Sequence, residues 1–290
     1  MNYKIPIYFV FLAAVWGASF MFMRVGAPEL GAYAFSGLRV GIAGLILSPI
    51  LLKPSCFKEY KEHWLKLSLI GILNTGIPFM LFTLATYHLT AGVTSVINAS
   101  VPVMTGVISH FFFKYYLSKQ QFLGLIIGIL GVALLMLDGL QGEGSIWAFI
   151  SALGACLCYA MSSNLAKRYL FAISPMTIAA SGLLASGIVM LPIVILFFPQ
   201  NTISWTAWSS VFAIAVLSTA IAMIVFYQLI QLLDPTKTAM VTLFIPIFGI
   251  FWGVLLLDEK VSLQMLLGTV IILLGTALTI FRRKSINVKS

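Results

Sequence analysis

The sequence predicts an all-α polytopic membrane protein whose ten transmembrane helices form two inverted five-helix repeats. Three observations lead to this fold class: an apolar composition, ten separate apolar segments and an internal repeat. Of the 290 residues, 61% are hydrophobic and only 9% are charged, whereas charged residues make up about 25% of an ordinary soluble domain. This composition excludes a typical soluble enzyme, a disordered chain and a nucleic-acid-binding protein.

Ten apolar segments are separated by charges, by Gly and Pro clusters and by polar residues. A helix that crosses the hydrocarbon core takes about 20 residues, and each segment is close to that length. The predicted spans are 5–23, 32–52, 64–86, 91–113, 119–137, 145–166, 175–198, 206–230, 236–257 and 262–281. The predicted connections include Gly26–Glu29, the charged stretch Lys53–His63 and Asp234–Lys237. The first span is expected to be a retained helix rather than a removed signal peptide.

The distribution of cations predicts the orientation of these spans. Lys and Arg outnumber Asp and Glu by 17 to 8, and membrane proteins retain such residues in cytoplasmic loops. If the N-terminus is cytoplasmic, fourteen of the seventeen cations lie on the cytoplasmic side, and the opposite side holds only Arg24 and Lys260. The remaining cation, Arg39, lies within the second span. We therefore expect both termini to be cytoplasmic.

The two halves of the chain align at an offset of 144 residues. Matches of Pro and Gly matter most because these residues mark backbone geometry, and Pro102 aligns with Pro246, Gly124 with Gly268 and Gly131 with Gly275. Each half holds five spans. Because five is odd, the second half enters the membrane from the opposite face, as in many secondary carriers. The predicted units are a first repeat, 1–140, a second repeat, 141–285, and a short cytoplasmic tail, 286–290.

Four stretches carry a resemblance to a known family: Trp16-Gly17-Ala18-Ser19-Phe20, Leu38-Arg39, the Asn98…Pro102 segment and Pro246…Asp258-Glu259-Lys260. In order, spacing and duplication they resemble the drug/metabolite transporter superfamily, and within it the EamA family, over nearly the whole chain. The resemblance implies two inverted repeats around a central cavity and the export or exchange of amino acids, metabolites or drugs. One departure is Lys114-Tyr115-Tyr116 in the first half, so no role is assigned to an acidic residue after the fourth helix.

Polar and aromatic side chains at mid-membrane depth are the candidates for binding a solute, because polar groups in hydrocarbon face the protein interior or water. The candidates are Trp16, Ser19, Arg39, Asn74, Thr75, Asn98, Tyr159, Ser162, Ser218, Thr219, Tyr227 and Thr242. Ser and Thr also hydrogen-bond between helices without a functional role. Pro102 and Pro246 remove a backbone donor and are expected to bend their helices around the site or to be tolerated kinks.

Arg39 is a cation placed well inside a span, which is costly without partners. It either has a structural role, through snorkelling or backbone carbonyls, or attracts a carboxylate or phosphate of the solute. The eight acidic residues fall in predicted loops or at span ends. Since no buried carboxylate is expected as a proton relay, we expect exchange or solute-gradient-driven facilitation.

The sequence therefore predicts a secondary transporter of the bacterial inner membrane that moves amino acids or related metabolites, by export or exchange, through alternating access. A multidrug or organic cation exporter of the same fold, or a nucleotide-sugar-like anion exchanger, remains open. A channel is less favoured because an inverted repeat in one chain is typical of carriers. A membrane-embedded enzyme is disfavoured because H-E-x-x-H and G-x-S-x-G are absent. No ATP-binding G-x-x-x-x-G-K-[S/T] occurs either.

A secondary transporter is expected to interact with a small-molecule solute and with membrane lipid, but not with nucleic acid. The chain is expected to be a monomer or weak homodimer. No catalytic residue or cofactor is expected. No metal site is expected either, because Cys56, Cys156 and Cys158 lack metal-site spacing.

Overall fold

The computed structural model describes residues 3–114, 117–141, 145–233 and 240–280. Within them the chain forms helices joined by short turns. The first half contains α1 (Lys4–Leu30), α2 (Ala32–Leu47, extended by a 3-10 turn at Ser48–Leu52), α3 (Pro54–Gly71 and Ile77–Ala85, joined by a π-helical turn at Ile72–Gly76), α4 (Ala91–Asn98 and Val101–Phe113) and α5 (Lys119–Gln141). The second half contains α6 (Ile146–Tyr169), α7 (Pro175–Leu196), α8 (Trp205–Ala215 and Ala222–Leu232, joined by a π-helical turn at Val216–Ile221), α9 (Ile245–Leu257, preceded by a 3-10 turn at Met240–Leu243) and α10 (Leu263–Ile280).

These helices are apolar and long. Among the described residues, nine helices are long and apolar enough to cross a bilayer, and Leu263–Thr279 is a shorter apolar helix. Large apolar side chains such as Leu45, Phe111, Ile195 and Leu274 are exposed on the outside of the bundle. The protein is therefore an all-α, multi-pass membrane protein, as the composition predicts.

The predicted connection at Gly26–Glu29 is wrong, because α1 continues through it to Leu30. Pro28 lies inside the last turn of the helix, and membrane helices tolerate proline where other groups satisfy the freed backbone. The chain turns instead at Gly31, whose φ of 75° lies in the left-handed region that favours glycine.

The charged stretch Lys53–His63 is also helical rather than a loop. Helix α3 begins at Pro54, a position where proline costs no hydrogen bond, and its axis kinks at His63, where φ is −127°. Charge keeps this segment out of hydrocarbon but does not prevent a helix. The third predicted connection, Asp234–Lys237, lies outside the described residues.

The internal repeat is visible in the backbone itself. The π-helical turn that begins at Ile72 recurs at Val216, and the interrupted helices α4 and α9 resume at Val101 and Ile245, in each case 144 residues later. Both helices end at a left-handed residue, Lys114 with φ 57° and Asp258 with φ 52°. Each resumed helix carries its proline, Pro102 or Pro246, in the first turn.

Hydrogen bonds between helix ends support the inversion of the two halves. Gln121, near the start of α5, donates its side-chain nitrogen to the carbonyl of Thr279 near the end of α10, at 3.2 Å. Arg24, near the end of α1, pairs with Glu259 at the start of the α9–α10 connection. The end of α4 lies at the same face as the start of α5, whereas the equivalent end of α9 lies beside the end of α1. The three spans α2, α3 and α4 separate the end of α1 from the start of α5, so these two points lie at opposite faces. The equivalent ends of α4 and α9 therefore lie at opposite faces.

The halves pack through their equivalent helices, α2 against α7 and α5 against α10. Glycines allow these close approaches. A Cβ built on Gly275 of α10 would lie 2.6 Å from the carbonyl oxygen of Gly124 on α5. In the other pair, a Cβ on Gly187 would lie 3.0 Å from the Cα of Gly41. A helix that packs against its own counterpart is what a two-fold relation between the halves requires.

Candidate functional site: the central cavity

A cavity of about 330 Å³ lies between the two halves. Its wall is built by α1, α2, α3 and α4 of the first half and by α6, α8 and α9 of the second. The interrupted helices and the two π-helical helices all contribute, which places irregular backbone beside the space. Pockets for small organic molecules begin at about this volume.

Nine of the residues singled out from the sequence line this cavity: Trp16, Ser19, Arg39, Asn74, Asn98, Pro102, Tyr159, Ser218 and Thr242. They come from seven different helices and from both halves of the chain. Depth in the membrane combined with polarity therefore identifies residues that the fold brings together.

Four others do not line the cavity, and three of these bond to protein groups. Thr75 shares a hydrogen bond with Ser186 at 2.8 Å, and the Ser162 hydroxyl accepts from the Asn74 amide at 2.9 Å. Thr219 accepts from Arg39, while Pro246 is buried in the first turn of α9. The side chain of Tyr227 lies outside the described part of the structure, and its backbone belongs to α8.

The apolar part of the wall, above all its aromatic rings, was not predicted from the sequence. Phe20, Phe79, Phe82 and Phe226 line the cavity together with Met23, Val101, Met223 and Ile245, and one further hydroxyl comes from Ser163. In a chain that is 61% hydrophobic, an apolar side chain carries no signal of its own. Proximity to a polar candidate, as with Phe20 beside Ser19, is the one usable hint.

The wall of α1 is fixed by contacts from the second half. Trp16 packs against Phe226 with ring centroids 5.3 Å apart. The hydroxyl of Ser218 donates to the carbonyl of Val15 at 2.6 Å, and the indole nitrogen of Trp252 donates to that of Ala14 at 3.0 Å. These bonds cross from one repeat to the other, so the wall depends on how the halves sit against each other.

Arg39 is the one charged residue among the described lining residues. It is only 4% exposed. Its Nε donates to Oγ1 of Thr219 at 3.0 Å, and its guanidinium carbon lies 3.5 Å from the ring centroid of Phe79. Among the described contacts, Arg39 therefore bonds to a side-chain hydroxyl and not to the backbone carbonyls that a purely structural role was expected to use.

Two amides of the wall, Asn74 and Asn98, can both donate and accept hydrogen bonds. Asn74 is held by Ser162, whereas Asn98, at the point where α4 is interrupted, has no protein hydrogen bond among the described residues. Asn98 is half-buried and faces the cavity. An amide in this position can both donate to and accept from a bound molecule.

At one face of the bundle, an ion pair connects three helix ends. Nε of Arg24 lies 3.1 Å from Oε1 of Glu259, whose side chain is 7% exposed. Glu259 also accepts from the backbone N–H groups of Ala91 and Gly92 at the start of α4, at 2.8 and 3.3 Å. Arg24 donates in turn to the carbonyl of Leu89 at 2.8 Å. We name these two residues the Arg24–Glu259 clasp.

The equivalent face of the other half has different chemistry. Position 115 corresponds to Glu259 and is a tyrosine, outside the described residues. The nearby described side chains are cationic and aromatic, with the guanidinium of Arg168 5.8 Å from the ring centroid of Phe113. The described side chains at the two faces are thus unlike, although both helices end at a left-handed residue.

The cavity wall offers aromatic faces, hydroxyls, amides and one cation. Among its described residues there is no carboxylate or imidazole for proton transfer, and no group of three or more metal-ligating side chains occurs in the described chain. Aromatic faces beside hydroxyls, amides and a guanidinium suit the binding of a small amphipathic molecule.

Comparison with known proteins agrees with this architecture. The model of the EamA-like transporter family matches the chain twice, over residues 4–137 and 146–281. A protein of known crystal structure superposes with a TM-score of 0.66 over 96% of both chains at 15% sequence identity. That likeness concerns the fold alone.

Several curated proteins are similar over most of their length. The uncharacterized transporter YoaV of Bacillus subtilis is 26% identical over 97% of this chain and 99% of its own. A probable amino-acid metabolite efflux pump of Escherichia coli is 23% identical over the whole of both chains. The uncharacterized inner membrane transporter YedA of Escherichia coli is 24% identical over 87% of this chain and 82% of its own.

Proposed function

Because the chain belongs to the EamA-like transporter family, we propose that it carries amino acids or related small metabolites across the bacterial inner membrane by alternating access. The protein is a membrane transporter and not an enzyme. The single observation that carries the proposal is the 330 Å³ cavity between the inverted halves. It combines aromatic rings with amide, hydroxyl and guanidinium groups, as an amphipathic solute requires.

Alternating access is supported by what closes the bundle. In inverted-repeat carriers, one half rocks against the other around a central site. The Arg24–Glu259 clasp connects the end of α1 to the α9–α10 connection, so the face that holds it opens only when the clasp breaks. The helix interruptions at Ala99–Ser100 and near Phe244 supply points where the wall can bend.

Export is the proposed direction. One relative is named a probable amino-acid metabolite efflux pump.

The proposed orientation has both termini in the cytoplasm, because the predicted cytoplasmic segments hold an excess of cations. We propose two transport halves, 1–140 and 141–285, in one working unit. Since a single chain supplies the whole described cavity wall, a monomer or weak homodimer is sufficient.

Exchange or facilitated diffusion is the proposed form of energy coupling. The described cavity wall contains no carboxylate to bind and release a proton. In proteoliposomes that contain solute on both sides, we expect an imposed pH jump alone to drive no net uptake. Net uptake under a pH jump would contradict this part of the proposal.

A counterflow assay tests the transport function. Proteoliposomes are loaded with unlabelled amino acids or organic acids, one at a time, and the entry of a trace of the same labelled solute is followed. The proposal predicts transient, saturable accumulation for at least one member of the panel and none in protein-free vesicles. A rate that rises linearly with concentration for every solute would indicate a channel instead.

Cells provide the test of direction. After loading with the same panel, cells that overproduce the protein should lose the transported solute faster than cells that lack the gene. Faster accumulation in the overproducing cells would overturn export while leaving transport intact.

A further inference from the structure

Resting on this proposed function, we propose that Arg39 binds a carboxylate of the transported solute, so that the cargo class is carboxylate-bearing molecules with an apolar body. The proposal assigns a counter-charge to a buried cation and makes Arg39 the residue that determines specificity. It is carried by the geometry of the side chain, by its counterpart in the other repeat and by the charges around it.

The guanidinium is held so that its outer edge faces the cavity. Nε is used by Thr219, and the ring of Phe79 covers one face of the group. The terminal nitrogens of Arg39 have no acceptor among the described residues. No buried side-chain nitrogen or oxygen in the described chain lacks a partner, so these nitrogens are not sealed within protein but reach the cavity surface.

The position of Thr219 is itself fixed. It lies in the π-helical turn of α8, and its hydroxyl donates to the carbonyl of Ile214 at 2.8 Å while it accepts from Nε. π-helical turns are frequent at functional sites. The guanidinium is therefore oriented by the wall before any solute arrives, which lowers the entropic cost of binding.

The equivalent contact in the other repeat shows that helix packing at this position does not require a cation. Thr75, the counterpart of Thr219 in the π-helical turn of α3, reaches across to Ser186 on α7 at 2.8 Å. Thr219 reaches across to Arg39 on α2 in the same manner. A neutral hydroxyl satisfies the interface in one half, so packing does not explain a cation in the other.

The described residues do not supply the missing negative charge. The ion pair of the Arg24–Glu259 clasp does not involve Arg39, and no carboxylate lines the described cavity wall. A buried charge is costly unless it is paired. A carboxylate matches the parallel N–H groups of a guanidinium, whereas a phosphate dianion would leave one negative charge uncompensated beside a single cation.

The rest of the wall defines the other end of the molecule. Phe20, Phe82 and Trp16 present apolar surface, and Asn98 presents an unpaired amide. A solute with its carboxylate at Arg39 would place its apolar body against these rings. Amino acids and simple organic acids share this chemistry, and the test separates them by including both.

Binding to the purified full-length protein tests the proposal through matched acids and amides. The probes are L-leucine with L-leucinamide, 4-methylpentanoate with 4-methylpentanamide, and phenyl phosphate, and the readout is isothermal titration. We expect at least one acid to bind wild-type protein about tenfold or more tightly than its amide, the effect of a hydrogen-bonded charge pair. This comparison needs no variant and is unaffected by folding defects.

Variants then assign the preference to Arg39. R39Q should remove the difference between acid and amide, and R39K should keep part of it. The matched control R168Q, which changes an exposed arginine at the end of α6, should behave as wild type. Thermal unfolding in detergent reports whether each variant is folded.

The proposal is overturned if the amides bind as tightly as the acids, if R39Q keeps the preference, or if none of the acids binds. Tighter binding of phenyl phosphate would also overturn it and would reassign Arg39 to phosphate. If a neutral or cationic solute shows counterflow and R39Q does not change its rate, this inference is contradicted while the transport function is retained. Absence of counterflow for every solute would instead remove the transport function.

Discussion

The carboxylate of Glu259 lies 3.1 Å from the guanidinium of Arg24 and also accepts from the first N–H groups of α4. One side chain thus joins the end of α1, the start of α4 and the α9–α10 connection. Each of these three segments belongs to or directly follows a helix that lines the cavity. We therefore expect access to the cavity from this face to depend on the clasp.

Replacing Glu259 with glutamine should open that face. The change removes a charge-assisted contact that is worth about 1.5–3 kcal/mol, so the equilibrium should shift by about tenfold or more. The measurement is the rate at which an impermeant thiol reagent modifies a cavity cysteine from this face. The control is Glu29→Gln, which changes the exposed carboxylate that accepts from Ser204 at the same face. Equal rates in both variants would remove the clasp as a gate.

Asn98→Ala and Asn164→Ala should fail in different ways. Asn98 faces the cavity without a described partner, so its loss should lower transport about tenfold while folded protein is unchanged. Asn164 is 4% exposed and bonds to Ser109, Thr105 and Ala160. Its loss should destabilise the protein by about 1–3 kcal/mol. Counterflow and detergent unfolding measure the two effects, and unchanged transport in Asn98→Ala would make that amide a packing group.

The α5–α10 interface should not tolerate a methyl group. In Gly275→Ala the new Cβ would lie 2.5 Å from the backbone nitrogen of Gly128, and such overpacking costs about 1–3 kcal/mol. Gly41→Ala is the matched control, because a Cβ there meets nothing within 4 Å. The unfolding temperature in detergent should fall for Gly275→Ala only. Equal temperatures would mean that the halves are not held by this interface.

The inverted arrangement fixes which positions share a face. Ser145 directly precedes α6 and Lys260 lies in the α9–α10 connection, so cysteines at these two positions should be labelled from the same side of sealed vesicles. A cysteine at Ser118, before α5, should be labelled from the other side. Labelling of positions 145 and 260 from contrary sides would contradict the inverted repeat.

The sequence predicts the number and order of the spans and most of the polar cavity wall. Hydropathy and the match of Pro102 with Pro246 determine these features, and both survive folding because they depend on lipid and backbone chemistry. The limits at Gly26–Glu29 and Lys53–His63 could not be predicted in this way. Turn-forming and charged residues do not exclude helix where neighbours satisfy the backbone.

Other features depend on contacts between distant residues. Whether a hydroxyl faces the cavity or a neighbouring helix is decided by side-chain direction, which separates Asn98 from Thr75. The segment Asp258-Glu259-Lys260 belongs to the family resemblance, but the contact of Glu259 with the start of α4 in the other half is not visible in the sequence. The two π-helical turns have no composition that distinguishes them from ordinary helix, yet they position Thr219 beside Arg39.

The most direct test of alternating access through the cavity is the accessibility of Ser163, an exposed lining residue without a described hydrogen bond. Cys56, Cys156 and Cys158 are first replaced by alanine, Ser163 by cysteine, and impermeant maleimide is applied to right-side-out and inside-out vesicles. Alternating access predicts labelling from both faces in turn, with Glu259→Gln raising the labelling rate at the clasp face and lowering it at the other face. Fast labelling from both faces that Glu259→Gln leaves unchanged, or labelling from one face only in both backgrounds, would contradict it.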